Sequence, residues 1–320
     1  MRVRFWGTRG SLPVSLTAKE VRAKLARALA GSLGRDLSTA ARIDTYIDSL
    51  GFEVAGTFGG HSSCVQVESG SGGAEHVFCD FGTGARPLGQ AMLARYGPEA
   101  PQTYHVFMSH LHWDHIMGFP FFTPAYIPGN RVIIHSCHDE VEHAFRRQHA
   151  APSFPVDFSA LGANIEFDLM QPGGTREIAG LAVTAKIQLH GGDSYGWRFA
   201  RAGKSLVYST DSEHKLDDSA ELEGFVEFFR GADLVIFDAM YSLADAISVK
   251  ADWGHSSNIV GVELCQRAGV RRLALFHHEP AHDDTQIAKV LVETRRFEEI
   301  TREGRPLEVI SAWDGLEIEL

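Results

Sequence analysis

Short apolar runs rich in β-branched and aromatic residues recur along the chain, at Arg2–Trp6, Ser63–Val67, His76–Cys79, His105–Met108, Arg131–His135, Leu181–Ile187, Ser205–Tyr208 and Leu234–Phe237. Their length and composition predict strands. A last pair, Leu307–Ser311 and Leu316–Leu320, flanks Asp314-Gly315, the dipeptide of a tight hairpin. Helical patterns lie between the runs. Ser256 or Ser257 caps one through Val260, Val262 and Leu264 to Gly269, and Asp284 caps another through Ile287, Val290, Leu291 and Phe297 to Gly304. Strands with interleaved helices, no internal repeat and no low-complexity linker predict one continuous α/β domain over residues 1–320.

Residues 15–51 break the alternation. Thr17-Ala18-Lys19-Glu20 is a capping box, Val21, Leu25 and Leu29 follow at helical spacing, and Gly31 can stop the helix. A second pattern, Ile43, Ile47 and Leu50, stops at Gly51. The expectation is a helical hairpin inserted between the first and second strands, serving as a packing element, a homodimer contact or a lid.

Lys+Arg 30 against Asp+Glu 41 gives a formal net charge of -11, which argues against a long nucleic acid as the main partner. A small phosphorylated substrate at a local site remains open. No apolar run approaches the ~20 residues of a membrane helix, and Met1–Gly7 has no secretory apolar stretch. A cytoplasmic protein without membrane partners is expected. Cys64, Cys79, Cys137 and Cys265 form no C-x-x-C pair, so they read as small hydrophobes instead of a disulfide framework or zinc ribbon. The 16 histidines carry the chemical information.

The segment Ser109-His110-Leu111-His112-Trp113-Asp114-His115 directly follows a strand run. Three imidazoles and a carboxylate so close together are costly unless they bind something, and their donor atoms suit zinc and its neighbours. Further candidates stand at the ends of later runs: His190 after Leu181–Leu189, Asp211 after Ser205–Thr210, and His277 or His278 after Leu273–Phe276. Adjacent residues on an extended segment point opposite ways, so one of the last two is expected to ligate, with His277 preferred. His135, His138, His143 and His149 lack this placement and read as surface or substrate-channel residues.

H-x-H-x-D-H followed by His, Asp and His at strand ends resembles the metallo-β-lactamase superfamily of dinuclear metallohydrolases, from Phe5-Trp6-Gly7-Thr8-Arg9-Gly10-Ser11 to the C-terminal hairpin. The resemblance implies a four-layer αββα sandwich with two divalent ions at one edge, zinc by default and manganese or iron as alternatives. His110, His112 and His190 would hold one ion, Asp114, His115 and His277 the other, with Asp211 bridging and Asp80 as the family's buried aspartate. Asp238-Ala239-Met240-Tyr241 and Trp253-Gly254-His255-Ser256-Ser257 resemble the ribonuclease Z and phosphodiesterase branch, in which the Gly-His-Ser histidine donates a proton to the leaving group. By that reading Asp114, His255 and Asp238 are the catalytic residues. A hydroxide bridging the metals would attack phosphorus, hydrogen-bonded to Asp114 or Asp211, while Asp238 orients His255. Asp at position 211 instead of Cys separates the chain from true zinc β-lactamases, and H-x-H instead of H-x-E from the di-iron oxidoreductases.

The expected substrate is a small cyclic or linear phosphodiester. Arg9, Arg86, Arg146, Arg147 and Arg198 are candidates to pair its phosphate, Arg9 foremost because it lies in a Gly-flanked turn at a strand end. The alternatives are a thioesterase or lactonase on the same metals, an RNA-processing ribonuclease, and a non-catalytic sensing module.

Overall fold

The computed structural model describes residues 1–70, 72–214, 219–240 and 255–320. In chain order the strands are β1 (Arg2–Gly7), β2 (Cys64–Glu68), β3 (Glu75–Cys79), β4 (Thr103–Phe107), β5 (Arg131–Ser136), β6 (Asn164–Leu169), β7 (Thr175–Ile178), β8 (Leu181–Gln188), β9 (Ser194–Arg201), β10 (Lys204–Ser209), β11 (Leu234–Asp238), β12 (Arg272–Phe276), β13 (Glu308–Ser311) and β14 (Glu317–Glu319). The α-helices are α1 (Ala18–Gly31), α2 (Ala40–Asp48), α3 (Phe52–Ala55), α4 (Ala85–Tyr96), α5 (Trp113–Ile116), α6 (Val141–Gln148), α7 (Ser219–Phe229), α8 (Asn258–Arg267) and α9 (Asp284–Thr301). The strands form two sheets, in the orders β14-β1-β2-β3-β4-β5-β6 and β13-β12-β11-β10-β9-β8-β7. The sheets mirror each other in plan: β3 to β6 and β10 to β13 run parallel, and the remaining pairs are antiparallel.

Successive side chains alternate across a strand, and that alternation sorts the apolar residues into three cores. Val3, Phe5, Val77 and Phe107 meet Trp197, Phe199, Ile236 and Phe276 between the sheets. Phe78, Tyr104, Val106 and Ile134 face outward under Leu88 and Met92 of α4 and Phe145 of α6. On the far side Val207, Val235, Phe237 and Leu275 lie under Phe225 of α7 and Val262 and Leu264 of α8. The layers therefore run helix, sheet, sheet, helix, the expected αββα sandwich. Among the described residues no helix is long and apolar enough to cross a membrane.

Three local expectations are corrected. Asp314-Gly315 does not close a hairpin, because β13 pairs with β12 in the second sheet and β14 with β1 in the first. The dipeptide turns a corner between sheets. Its carboxylate accepts from Gly60 N–H, His61 N–H and the Thr8 hydroxyl, and Gly315 N–H donates to Phe5 O. The cap of α9 is Asp283, in a capping box with Gln286; Asp284 turns inward to Lys24 Nζ at 2.6 Å and Phe58 N–H at 2.9 Å. His135 and His149 are core residues: His135 lies between His105 and Asp168, and His149 meets the Tyr126 hydroxyl. His143 is exposed. Helix α8 is capped by Ser257, and the capping box of α1 forms at Thr17 and Glu20.

Candidate metal centre

The carboxyl ends of β3, β4, β8, β10, β11 and β12 meet at one edge of the sandwich, where parallel strands leave room for loops. The loop after β4 carries His110 and His112 and enters the short helix α5 with Asp114 and His115. The ring nitrogens of His110, His112 and His190 converge within 4.8 Å of one another, as do the ligand atoms of Asp114, His115 and His277. Asp211 stands between the two triads. Its Oδ2 lies 3.2 Å from His115 Nε2, and its Oδ1 lies 3.4 Å from His277 Nε2 and 3.8 Å from both His110 Nε2 and His190 Nε2. His277 Nε2 also lies 3.3 Å from Asp114 Oδ2. The neighbouring His278 faces away, with Nε2 2.9 Å from Ala312 O.

The cluster is held from beneath by Asp80, whose side chain is fully buried. Its carboxylate accepts from Ser109 N–H (2.7 Å), the Ser109 and Tyr208 hydroxyls (2.7 Å each) and His115 Nδ1 (2.8 Å). That last bond keeps Nδ1 protonated, so an ion would take Nε2. Without an ion, burial opposes the charge, but Asp114, Asp211 and Asp80 raise the His115 pKa well above the usual imidazole range. Asp80, Asp211 and His277 all take left-handed backbone conformations, with φ of 59°, 50° and 58°. Such strain collects where a side chain must be aimed at a site, and Asp and His tolerate it better than most residues. Gly10 approaches so closely that a Cβ there would lie 2.6 Å from the His277 ring.

Burial opposes ionisation of Asp114 and Asp211, yet both are held well below the usual carboxylate range, Asp114 chiefly by His115 and Asp211 by His277 and His115. Burial and the neighbouring His115 keep His110 neutral, the form that binds metal. The buried Nε2 atoms of His110 and His115 make no hydrogen bond among the described residues. Orphaned imidazole nitrogens beside ionised carboxylates are a donor set for divalent cations, and the residues fit that group.

Beside the cluster stands a second pair. His255 Nδ1 lies 2.7 Å from Asp238 Oδ2, and the His255 ring lies 5.1 Å from that of His190 and 5.2 Å from that of His277. Burial would lower the imidazole pKa, but Asp238 outweighs it and lifts His255 to about 9.

Comparison with known proteins gives the family of the chain. Residues 77–278, well over half of the chain, match the Beta-lactamase superfamily domain. The chain belongs to the β-lactamase superfamily of metal-dependent hydrolases. A ribonuclease Z from Agathobacter rectalis is 29% identical over 153 residues, 43% of this chain and 46% of that protein, so the chain spans about half the length of this relative. The metallo-β-lactamase fold protein YhfI from Bacillus subtilis superposes with a TM-score of 0.61 at 17% identity, covering 99% of this chain and 98% of the other. A diphosphatase from the PhnP family superposes at 0.59 with 19% identity, covering 100% and 97%.

Within this superfamily frame, every metal-ligand candidate of the sequence reaches one locus, with His277 at the cluster and His278 outside it. Three of the five candidate phosphate-pairing arginines are engaged elsewhere. Arg9 is 2% exposed and its guanidinium donates to the carbonyls of Gly59, Glu279 and His282, so it ties three loop positions together. Arg198 is likewise spent on Phe228 O, Arg230 O and the Ser205 hydroxyl, and Arg146 on Glu142. Tyr241, Trp253 and Gly254 lie outside the described residues. Sequence reasoning missed Tyr208 as a support of Asp80. The available signal was a polar hydroxyl inside the apolar run of a buried strand, which needs a partner.

Proposed function

We propose that the chain is a dinuclear-metal phosphodiesterase acting on a small cyclic or linear phosphodiester. The observation that carries this reading is the His255–Asp238 pair set against the metal-ligand cluster. A phosphodiester leaves as an alkoxide, which needs a proton far more than a thiolate does. His110, His112 and His190 would hold one ion and Asp114, His115 and His277 the other, with Asp211 reaching both. Zinc suits these donors, and manganese or iron are alternatives. A divalent pair there supplies Lewis acidity toward phosphoryl oxygens and acidifies water.

The chain's own residues do the rest. Asp238 engages His255 Nδ1, so the transferable proton sits on Nε2 and passes to the leaving oxygen. Asp114 and Asp211, ionised and acceptor-only, take the hydrogen bond of the attacking water. The relatives named ribonuclease Z and diphosphatase support phosphoryl chemistry. The first of them keeps an RNA substrate as the second reading, against which the net charge of -11 weighs.

The test is hydrolysis of bis(p-nitrophenyl) phosphate by metal-quantified protein beside Asp211→Ala. Metal-dependent turnover lost in the variant is expected. In His255→Ala, rates with alkyl leaving groups should fall at least roughly 100-fold while nitrophenolate release changes little, since general acid help matters only for poor leaving groups. Equal losses on both substrates would remove His255 from the acid role. Thioester or lactone turnover without phosphodiester turnover would overturn the reaction class.

A further inference from the structure

Helix α1 is mounted with its polar side inward. Lys24 Nζ reaches the carbonyls of Glu53 and Gly56 and the Asp284 carboxylate, Arg27 reaches Glu53 and Thr285, and no residue of α1 is buried. The adjacent row, Val21, Leu25 and Leu29, is 44, 59 and 68% exposed, and Leu33 beyond the helix is 82% exposed. Helix α2 repeats the pattern: Tyr46 is buried and donates to Ala28 O of α1, while Ile43 and Ile47 are 41 and 43% exposed. Helices of this length owe their stability to packing an apolar face, and here those faces point to solvent.

We propose that this face is covered by a second copy of the chain, in a two-fold dimer that lays α1 of one copy against α2 of the other. Charge placement singles out that occupant. On the helical wheel, exposed Lys19 and Arg22 border the apolar row of α1 on the side away from the body, and exposed Asp44 and Asp48 border the Ile43 and Ile47 row of α2. A surface with one basic and one acidic edge complements itself under a two-fold rotation, which brings each edge onto its opposite. An anionic lipid surface would instead meet Asp44 and Asp48 on a chain of net charge -11. The two helices are ~21 and ~14 Å long, and exposed Leu33 prolongs the apolar row of α1.

The test is the solution mass of the full chain by light scattering and sedimentation, beside Leu25→Glu/Leu29→Glu. Both leucines are mostly exposed within one copy, so the monomer fold, checked by circular dichroism and metal content, should persist. A wild-type dimer whose dissociation constant rises at least roughly 100-fold in the variant is expected, because four leucines leave each interface. Lys19→Glu/Arg22→Glu should weaken the dimer at low salt, and adding Asp44→Lys/Asp48→Lys should restore it. A monomeric wild type, or a dimer that Leu25→Glu/Leu29→Glu leaves intact, would overturn the proposal. So would a monomer that sediments with vesicles of anionic lipid.

Discussion

Asp80→Asn separates the support of the cluster from the cluster itself. The substitution keeps the size of a fully buried side chain that accepts four hydrogen bonds, from Ser109 twice, Tyr208 and His115. Oδ2 takes three of the four. If the new amide nitrogen occupies that position, the Ser109 and Tyr208 hydroxyls can rotate and accept. The Nδ1–H of His115 has no such freedom, and donor would face donor. Turned the other way, the amide confronts the Ser109 backbone N–H, which is equally fixed. One charge-assisted bond is lost outright and two are weakened, a destabilisation of roughly 3–5 kcal/mol. In a chain of this size that lowers the melting temperature by about 4–8 °C. Relief for His115 lies in moving its proton to Nε2, the atom that lies 3.1 Å from Asp114 and 3.2 Å from Asp211. Metal affinity should therefore fall roughly 10–100-fold as well. Thermal and urea unfolding of metal-free protein measures the first effect, and a competitive zinc titration the second. Tyr208→Phe and Ser109→Ala should each cost only about 1 kcal/mol. An Asp80→Asn variant within 1 kcal/mol of the parent and with unchanged affinity would refute the reasoning.

Other features make further measurements decisive. Burial lowers His135 to about 4 and His214 to about 3, so below the ordinary 6.5 the unfolded chain takes up protons that the folded chain refuses. Stability should be full above pH 6.5 and fall as the pH drops toward 4. His214→Phe, placed against Phe225 and Phe237, should flatten that fall in urea midpoints and recover up to roughly 3 kcal/mol at pH 4. Gly10→Ala should push His277 out of place through the 2.6 Å contact of its methyl, cost roughly 1–3 kcal/mol and lower zinc affinity in titration. Chelation should lower the melting temperature of the purified protein, and zinc at a thousandfold excess over its dissociation constant should restore about 4 kcal/mol. An unchanged melting curve would mean that the cluster binds no ion.

The convergence of the candidate ligands was legible because they follow the ends of strands, and apolar runs announce strand ends. His190, Asp211 and His277 were found that way, and the fold followed from the motif they complete. Other parts obey forces that no short window of sequence displays. Strands β6, Asn164–Leu169, and β7, Thr175–Ile178, at the sheet edges, carry charges instead of apolar runs, as edge strands do to discourage pairing with other chains. Asp314-Gly315 has turn chemistry, but whether the next strand folds back or crosses to the other sheet is decided by acceptors for Gly60 and His61, far away in sequence. Arg9 has the look of an anion-binding residue until the carbonyls of three distant positions are seen to occupy it.

The pairing of β1 with β14, Arg2 opposite Glu319, joins the two extremes of the described chain. During synthesis on the ribosome, β1 emerges long before β14, and its outer edge waits for that partner. Until then the first sheet ends in a bare row of amide and carbonyl groups, and a neighbouring nascent chain can add to it as readily as β14 can. Deleting β14 would make that vulnerable interval permanent, so its loss should harm yield and solubility even though the candidate metal ligands remain in the chain.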